Sequence, residues 1–207
     1  SCIIPKGITI TDPPYNQGYH YNNYKDKMSS DEYINLLSKI PTPCVIIHYP
    51  EETINILPKA IKEKCQQVVC WIYNSNTGKQ SRLISWWGCK PDFTKVRQPY
   101  KNLNDKRIQK QLAKGKRGCN LYNWWDINIC KFNAKEKLNY VNQIPFELLS
   151  RLILTTTDNG DLVVDPMCGS GSTLVAANNL ERKAWGCDIN ENLKPIWNDI
   201  LAQTRLM

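Results

Sequence analysis

The sequence predicts an α/β domain built around a mainly parallel sheet. Short β-branched runs alternate along the chain with segments of helical hydrophobic period, which is the pattern of repeated strand–helix–strand units. Two of the runs end in an Asp-Pro step, at Asp12-Pro13 and at Asp165-Pro166, and a Gly-Ser-Gly turn follows the second. Ligands bind beyond the carboxyl ends of strands in such sheets, so both steps mark candidate site segments.

The individual elements follow from local patterns. The amino-terminal half predicts strands at residues 7–11, 44–49, 67–73 and 82–87. It also predicts a helix over residues 31–40, capped by Ser30 or Asp31, and a second helix over 51–64 that Pro58 interrupts. The carboxyl-terminal half predicts strands between residues 120 and 132, at 162–164 and at 183–187. Helices are predicted there over residues 105–112, 144–155, 173–180 and 191–202.

The composition of the 207-residue chain fits one domain without a membrane span. Hydrophobic residues make up 42%, and no apolar run reaches the length of about 18 residues that a membrane span needs. The first residues lack a signal-peptide pattern, so we expect a cytoplasmic protein. Nine cysteines without a Cys-x-x-Cys pair are expected to be reduced thiols, and no metal site is expected. The pairs Trp86-Trp87 and Trp124-Trp125 are predicted to fill the core.

All of the formal charge of +8 lies in one stretch. Residues 90–118 contain ten Lys and Arg against two Asp, and the rest of the chain is neutral. This concentration is typical of polyanion binding, although a solvated loop would show the same composition. We interpret residues 90–118 as a basic insertion between two parts of a core, residues 1–89 and 119–207. The residues expected to contact nucleic acid are Lys95, Arg97, Lys101, Lys106, Arg107, Lys110, Lys114, Lys116 and Arg117.

The glycine segment joins the strand at 162–164 to a helix. It reads Asp165-Pro166-Met167-Cys168-Gly169-Ser170-Gly171, without the third glycine of a dinucleotide fingerprint or the lysine of a P-loop. Asp188 ends the next strand, where an acid can accept hydrogen bonds from both ribose hydroxyls or cap the segment that follows. Asp165 can face an ammonium group. Since a nucleoside with an attached amino acid satisfies both acids, the predicted ligand is S-adenosylmethionine.

The Asp12-Pro13-Pro14-Tyr15 segment follows the first strand. Its prolines leave carbonyl oxygens free to accept hydrogen bonds, and an exocyclic amine needs acceptors such as Asp12 and the Pro13 carbonyl. Tyr15 offers a ring on which an extruded base can stack. An ordinary proline turn is the alternative for this tetrapeptide alone. We expect this segment and the glycine segment to share one cleft.

In these two segments the chain resembles the β class of amino-group DNA methyltransferases. Residues 12–15 are similar to motif IV of that family, residues 165–173 to motif I, Asp188 to the acid of motif II, and Gln143 to motif X, which lines the cofactor pocket. The catalytic segment precedes the cofactor segment, which is the circularly permuted order of this class. The resemblance implies a Rossmann-like methyltransferase fold, with a twisted sheet covered by helices on both faces.

The resemblance also implies an activity and its residues. It implies transfer of a methyl group from S-adenosylmethionine to an exocyclic amine of a flipped base in DNA, adenine N6 in particular, in restriction–modification or as a solitary enzyme. A homodimer or a partner subunit is compatible with the family. The implied catalytic residues are Asp12, Pro13, Pro14 and Tyr15. The implied cofactor-binding residues are Asp165, Pro166, Met167, Cys168, Gly169, Ser170, Gly171, Asp188 and Gln143.

Some positions depart from the family pattern. Met167 stands where the family often has Phe, which is expected to alter how the methionine moiety packs. The family also carries a strand and a helix ahead of the catalytic strand, with an acid near the cofactor's adenine. The printed sequence starts close to that strand, so we expect the adenine to be held by residues upstream of Ser1 or in a different way.

Four alternatives stay open at this point. A cytosine-C5 enzyme would need a cysteine nucleophile beside proline, as at Pro43-Cys44, but that pair begins a predicted buried strand. N4-cytosine methylation uses the same amino-group chemistry, although its usual segment begins with Ser. An RNA amino-methyltransferase is compatible with every residue named. The fourth alternative is a non-catalytic nucleic-acid-binding partner with the same fold.

Overall fold

A computed structural model describes residues 3–21, 24–76, 78–130, 143–193 and 195–197. Its strands are β1 (Ile8–Thr11), β2 (His20–Tyr21), β3 (Tyr24–Lys25), β4 (Cys44–His48), β5 (Cys65–Ile72), β6 (Ser81–Trp87), β7 (Arg97–Gln98), β8 (Cys119–Asn120), β9 (Trp124–Asp126), β10 (Leu162–Asp165) and β11 (Lys183–Gly186). Its helices are α1 (Ser30–Leu37), α2 (Pro50–Asn55), α3 (Leu57–Ala60), α4 (Lys106–Ala113), α5 (Phe146–Thr156) and α6 (Ser172–Asn179), followed by a 3-10 turn at Glu191–Leu193.

Seven strands form one sheet, in the order β11-β10-β1-β4-β6-β5-β9. β11, β10, β1 and β4 pair in parallel, and β9 is parallel to β5. β6 is antiparallel to both β4 and β5, so it alone runs against the other described strands of this sheet. The predicted mainly parallel sheet is therefore confirmed. Because of its direction, β6 begins at the edge where the other strands end.

Helices cover both faces of the sheet. Val45 and Ile47 of β4 pack into a large core cluster with residues of α5 and α6. Cys44 and Ile46 of the same strand pack into a second cluster with residues of α1 and α3. This alternation follows from the two-residue period of a strand, and it gives each face its own core. The prediction of helices on both faces is confirmed.

Local sequence explains where several helices begin and end. The Ser29 hydroxyl accepts the N–H of Glu32, and the Glu32 carboxylate accepts the N–H of Ser29. The cap of α1 is therefore Ser29, one residue before Ser30, the first of the two predicted caps. α1 ends at Leu37 rather than at residue 40. The helix predicted over 51–64 is instead two short helices, because Pro58 has no N–H to continue the ladder. None of the described helices is long and apolar enough to cross a lipid bilayer.

The carboxyl-terminal helix predicted over 191–202 differs from the structure at its start, whereas residues 195–197 are helical as predicted. It begins as the 3-10 turn Glu191–Leu193, and residues 198–202 lie outside the described part of the chain. The strands predicted between 120 and 132 are β8 and β9, and residues 131 and 132 likewise lie outside that part.

The basic insertion is closed at its base by a small antiparallel ribbon. Arg97 of β7 lies opposite Asn120 of β8, and Gln98 lies opposite Cys119. Between these strands, α4 begins at the cap residue Asp105 and buries none of its residues. The helix predicted over 105–112 is confirmed to within one residue at each end. Both chain ends of the insertion therefore leave the core side by side.

Candidate active site

The two Asp-Pro segments lie on neighbouring strands. β1 and β10 pair in parallel, so their carboxyl ends reach the same edge of the sheet. The Thr11 hydroxyl donates to Oδ1 of Asp165 at 2.8 Å, across 154 positions of sequence. This bond joins the residue before Asp12 to the first residue of the glycine segment. The fold thus brings the two predicted segments together at one edge.

Asp165 is an acid in a buried site. It is 3% exposed, and its Oδ1 also accepts the N–H of Met167 at 3.2 Å. Burial raises the pKa of Asp165 to about 6, while hydrogen bonds from the Thr11 and Thr173 hydroxyls and from Met167 oppose the rise. A cation beside Asp165 would favour its ionised form, which suits the predicted ammonium partner.

Backbone conformation explains both glycines of the glycine segment. Gly169 has a φ of 47° and Gly171 a φ of 79°, in the left-handed region that side chains disfavour. Contacts from the following elements fix the turn: the Cys168 N–H donates to the Cys187 carbonyl, and the Trp197 indole donates to the Gly169 carbonyl, each at 3.0 Å. The turn is therefore held in one shape before any ligand binds.

Asp188 lies two residues beyond the end of β11 and links the glycine turn to the next segment. Its Oδ2 accepts the N–H of Gly169 and its Oδ1 accepts the N–H of Asn190, both at 2.9 Å. The bond to Asn190 is the local capping contact that the sequence offered as an alternative. Each carboxylate oxygen keeps a further lone pair, so the same residue can still accept hydroxyl donors.

An open groove of about 300 Å³ adjoins Asp188. The groove is lined by Met167, Asp188 and Ile189 on one side. Leu36 of α1 and Ile40, just beyond that helix, also line it. The volume falls at the lower end of the range of about 300–1,000 Å³ for small-molecule sites. The groove therefore joins an apolar surface to the acid predicted to bind a ribose.

The remaining residues of the cofactor prediction lie around this turn. Cys168 and Ser170 are buried, and Met167 packs against the second core cluster. Pro166 lines the groove, and its carbonyl accepts from the Cys187 thiol at 3.5 Å. Gln143 is 5% exposed ahead of α5, and its assignment to the cofactor pocket stays a prediction.

Asp12 lies just beyond β1 and contacts two side chains. The Tyr15 hydroxyl donates to Oδ1 of Asp12, and Nη1 of Arg82 lies 3.7 Å from Oδ2. Burial raises the pKa of Asp12, while the positive charge of Arg82 and the Tyr15 hydroxyl lower it. Arg82 thus counteracts the desolvation of the carboxylate that the sequence singled out for catalysis.

A chain of hydrogen bonds fixes the Pro14 carbonyl. The N–H of Tyr49 donates to Nδ1 of His48 at 2.8 Å, so Nε2 of that ring carries the hydrogen that meets the Tyr33 hydroxyl. The Tyr33 hydroxyl donates in turn to the Pro14 carbonyl at 2.6 Å. Burial lowers the pKa of His48 to about 3, which keeps the ring neutral. The Pro14 carbonyl thus has a donor within the protein, and the role of the Pro13 carbonyl as an acceptor for an amine stays a prediction.

Asp26 orders the loop after Tyr15. Its carboxylate is 2% exposed and accepts the N–H groups of Asn16 at 2.8 Å, Gln17 at 3.1 Å and Tyr19 at 3.1 Å. Backbone donors around one buried carboxylate form a compact anion-binding turn. The loop therefore holds the position of the Tyr15 ring.

The Tyr15 ring packs against two other rings of the site. Its centroid lies 4.8 Å from that of His48 and 4.7 Å from that of Tyr49. Tyr15 is 6% exposed. His48, Tyr49 and the Arg82 guanidinium cover most of the ring, and its role as a stacking platform for a base stays a prediction.

The nine basic residues that are predicted to contact nucleic acid all lie on the surface. Four have protein contacts: Lys95 pairs with Asp158 at 2.7 Å, Arg97 donates to Asn120, Arg107 pairs with Asp105, and Lys101 lies 3.6 Å above the Trp124 ring. The other five are Lys106, Lys110, Lys114, Lys116 and Arg117. Trp86, Trp87 and Trp125 are buried as predicted, whereas Trp124 is half-buried under Lys101.

Cys44 does not fit the role of a nucleophile. It begins β4 at the opposite end of the sheet from Asp12 and is fully buried. Burial raises the pKa of its thiol to about 12, so the thiolate is scarce at neutral pH. Within the described ranges, no group of three or more His, Cys, Asp or Glu side chains is arranged to hold a metal ion.

Sequence reasoning missed Arg82, His48 and Tyr33. These residues come from β6, β4 and α1, and they meet Asp12-Pro13-Pro14-Tyr15 only through tertiary packing. A buried-type strand ending in His48-Tyr49-Pro50 was the one local signal available, because polar groups at strand ends cluster at the ligand edge. Arg82 lies at the start of β6, and no sequence pattern predicted that this strand runs antiparallel to its neighbours.

Comparison with known proteins finds DNA methyltransferases. The chain is 26% identical over 201 residues to the type II methyltransferase M.HpaI of Haemophilus parainfluenzae, covering 89% of this chain and 64% of that protein. It is 24% identical over 211 residues to the DNA adenine methyltransferase YhdJ of Escherichia coli, covering 88% of this chain and 71% of that protein. The chain spans 63% of the length of another relative, the type II methyltransferase M.BglII of Bacillus subtilis.

Solved structures support the predicted methyltransferase fold. The M1.HpyAVI–SAM complex superposes with a TM-score of 0.60 at 18% identity, covering 94% of this chain and 88% of that one. The PvuII DNA methyltransferase, described as cytosine-N4-specific, superposes with a TM-score of 0.62 at 17% identity, covering 95% and 86%. The family described as DNA methylase, of N6 and N4 methyltransferases, matches residues 7–199. This chain therefore belongs to the N6/N4 DNA methylase family.

Proposed function

We propose that this chain transfers the methyl group of S-adenosylmethionine to an exocyclic amine of a base in DNA, with adenine N6 as the target atom. The observation that carries the proposal is the hydrogen bond from Thr11 to Asp165, which holds the Asp-Pro-Pro-Tyr segment beside the glycine segment. A donor bound at one segment then faces an acceptor bound at the other. Holding two reactants in this way can supply most of the catalysis that such a reaction needs.

The residues around the glycine turn fit S-adenosylmethionine. Asp188 keeps lone pairs for the ribose hydroxyls, Asp165 suits the ammonium group, and the groove beside Asp188 offers an apolar surface to the adenosine part. Bound S-adenosylmethionine supplies a methyl group that its sulfonium already activates. The residues of the chain therefore need only bind, orient and exclude water.

Asp12 and Pro13 position the target amine. The Asp12 carboxylate accepts one amine hydrogen and the Pro13 carbonyl the other, so the nitrogen lone pair points toward the methyl group. The Tyr33 hydroxyl holds the neighbouring Pro14 carbonyl and thereby fixes the turn. Asp12, already hydrogen-bonded to the amine, is also the base for the proton that the amine loses after transfer.

The basic insertion supplies affinity for DNA. Its exposed Lys and Arg side chains neutralise phosphates, and a base flipped from the duplex is held at Asp12 and Pro13. The type II names of the relatives support a role in restriction–modification. Adenine is favoured over cytosine because the segment begins with Asp12 and because the relative YhdJ is named for adenine.

Analysis of nucleosides tests the proposal directly. Duplex DNA and, in parallel, RNA are incubated with the protein and S-adenosylmethionine carrying a labelled methyl group, then digested and analysed by mass spectrometry. We expect label in the N6-methyldeoxyadenosine released from DNA. Label in N4-methylcytosine would change the target atom, label in RNA alone would change the substrate, and cofactor binding by calorimetry without any transfer would indicate a non-catalytic partner.

A further inference from the structure

Arg82 occupies an unusual position for a cation. Its side chain is 12% exposed, and four aromatic rings surround the guanidinium carbon. The distances to the ring centroids are 4.9 Å for Tyr15, 5.2 Å for Trp71, 5.7 Å for Tyr49 and 5.7 Å for Tyr73. A buried cation is costly unless its donors are satisfied, so this position calls for an acceptor.

Arg82 has a hydrogen-bond donor that no described residue accepts. Nε of Arg82 is buried and has no hydrogen-bond partner within the described residues. Its ion pair with Asp12 spans 3.7 Å, which is too long for a hydrogen bond. A guanidinium offers five N–H donors in a fixed plane, and those on Nη1 lie nearest to Asp12, where a base held by that carboxylate would meet them.

The chemistry of the target base matches these two observations. In adenine the exocyclic amine is flanked by ring nitrogens N1 and N7, and in cytosine by N3, each of which is a hydrogen-bond acceptor. Asp12 accepts hydrogen bonds while Arg82 beside it donates them. Together they present an acceptor next to a donor, which complements an amine next to a ring nitrogen.

We propose that Arg82 reads the flipped base by donating a hydrogen bond to the ring nitrogen beside the amine that Asp12 holds. This inference rests on the proposed function and assigns to that site a residue that selects its base. Uracil and thymine present a carbonyl where adenine and cytosine present the amine, so they cannot satisfy Asp12 and Arg82 together. The pair therefore selects bases that carry an amine next to a ring acceptor.

Base analogues test the contact atom by atom. Single-turnover methyl transfer is measured on duplexes whose target adenine, located beforehand by sequencing methylated DNA, is replaced by 1-deazaadenine or 7-deazaadenine. For the unchanged protein we expect one analogue to react roughly 10- to 100-fold more slowly than adenine, the effect of losing one hydrogen bond to a charged donor. In Arg82→Met this penalty is expected to vanish, because the donor is gone.

A matched control separates base reading from general damage. Arg151 of α5 also lies over an aromatic ring, with its guanidinium carbon 5.7 Å from the centroid of Trp125, but it is away from the site. The Arg151→Met variant should therefore keep the full analogue penalty. Arg82→Lys, which keeps the charge but loses the planar donors, serves if Arg82→Met does not fold, and it should lose most of the penalty. Folding of each variant is checked by thermal unfolding and by binding of S-adenosylmethionine.

Several results would overturn the inference. An equal analogue penalty in Arg82→Met and in the unchanged protein, or no penalty with either analogue, would remove Arg82 from the base. Uniform slowing with a shifted pH–rate profile would show that Arg82 acts only on Asp12. Uniformly weaker DNA binding without an analogue effect would indicate a phosphate contact. Methyl transfer to no DNA at all, by contrast, would refute the proposed function and the base-reading role with it.

Discussion

Replacing Asp165 by Asn should change how stability depends on pH. Asp165 is buried, and its pKa lies near 6 in the folded protein against an ordinary value of 3.8. The folded state therefore binds this proton more tightly than the unfolded state does. As pH falls through the interval between these two values, protonation stabilises the native protein, and the stabilisation is lost again as pH rises through about 6. Asp165→Asn has no such proton to bind.

The size of the effect follows from the shift. A difference of about 2 pH units corresponds to about 3 kcal/mol, of which most is realised between pH 7.5 and pH 4. The native protein should thus gain about 2 to 3 kcal/mol relative to Asp165→Asn over that interval. Other carboxylates with shifted pKa values, such as Asp105 and Glu32, are present in both proteins and cancel in the difference.

The assay is urea unfolding followed by tryptophan fluorescence at several pH values for both proteins. The same comparison with saturating S-adenosylmethionine should flatten the difference, because an ammonium group beside Asp165 favours its ionised form. A difference in unfolding free energy that stays constant from pH 7.5 to pH 4 would refute the reasoning, since it would mean that Asp165 titrates at its ordinary pKa.

Three further predictions concern catalysis and DNA binding. Asp12→Ala should slow methyl transfer by roughly 100-fold or more, while calorimetry shows unchanged binding of S-adenosylmethionine; loss of both together would contradict its assigned role. Tyr33→Phe removes the donor to the Pro14 carbonyl, so the free energy of unfolding should fall by about 1–3 kcal/mol and methyl transfer should become slower. An unchanged urea midpoint would argue against a role for the hydrogen bond between Tyr33 and Pro14. Replacing four exposed cations by Gln should weaken DNA binding. It should also reduce the slope of log affinity against log salt concentration by about 0.9 for each phosphate that is no longer neutralised. An unchanged slope would exclude α4 from the DNA interface. The four are Lys106, Arg107, Lys110 and Lys114.

Local sequence predicted the parts of the site that depend on local conformation. The turn at Gly169 and Gly171 needs left-handed backbone, and Asp12 and Asp188 follow strands that their own residues specify. Because parallel strands end at one edge, these segments could be expected to meet. The same logic located the helices on both faces, since β4 alternates between two cores.

Partners that come from distant elements could not be predicted in this way. Arg82 reaches Asp12 because β6 runs antiparallel between β4 and β5, and strand direction is set by pairing rather than by the residues of one strand. The His48–Tyr33 contact requires α1 to pack over the end of β4. The break at Ile56 in the helix predicted over 51–64 was foreseen in part: Pro58 predicted an interruption, but the sequence did not fix where it falls.

The β7–β8 ribbon makes the insertion exchangeable. Since its two ends are tied together at Gln98 and Cys119, the length of the excursion between them can change at a cost of only about 0.6 kcal/mol per doubling. We expect that an excursion of another length can replace this one without altering the sheet. Under the proposed function, contacts with the DNA backbone and the chemistry of transfer then reside in separate stretches of the chain, and one can diverge while the other is kept.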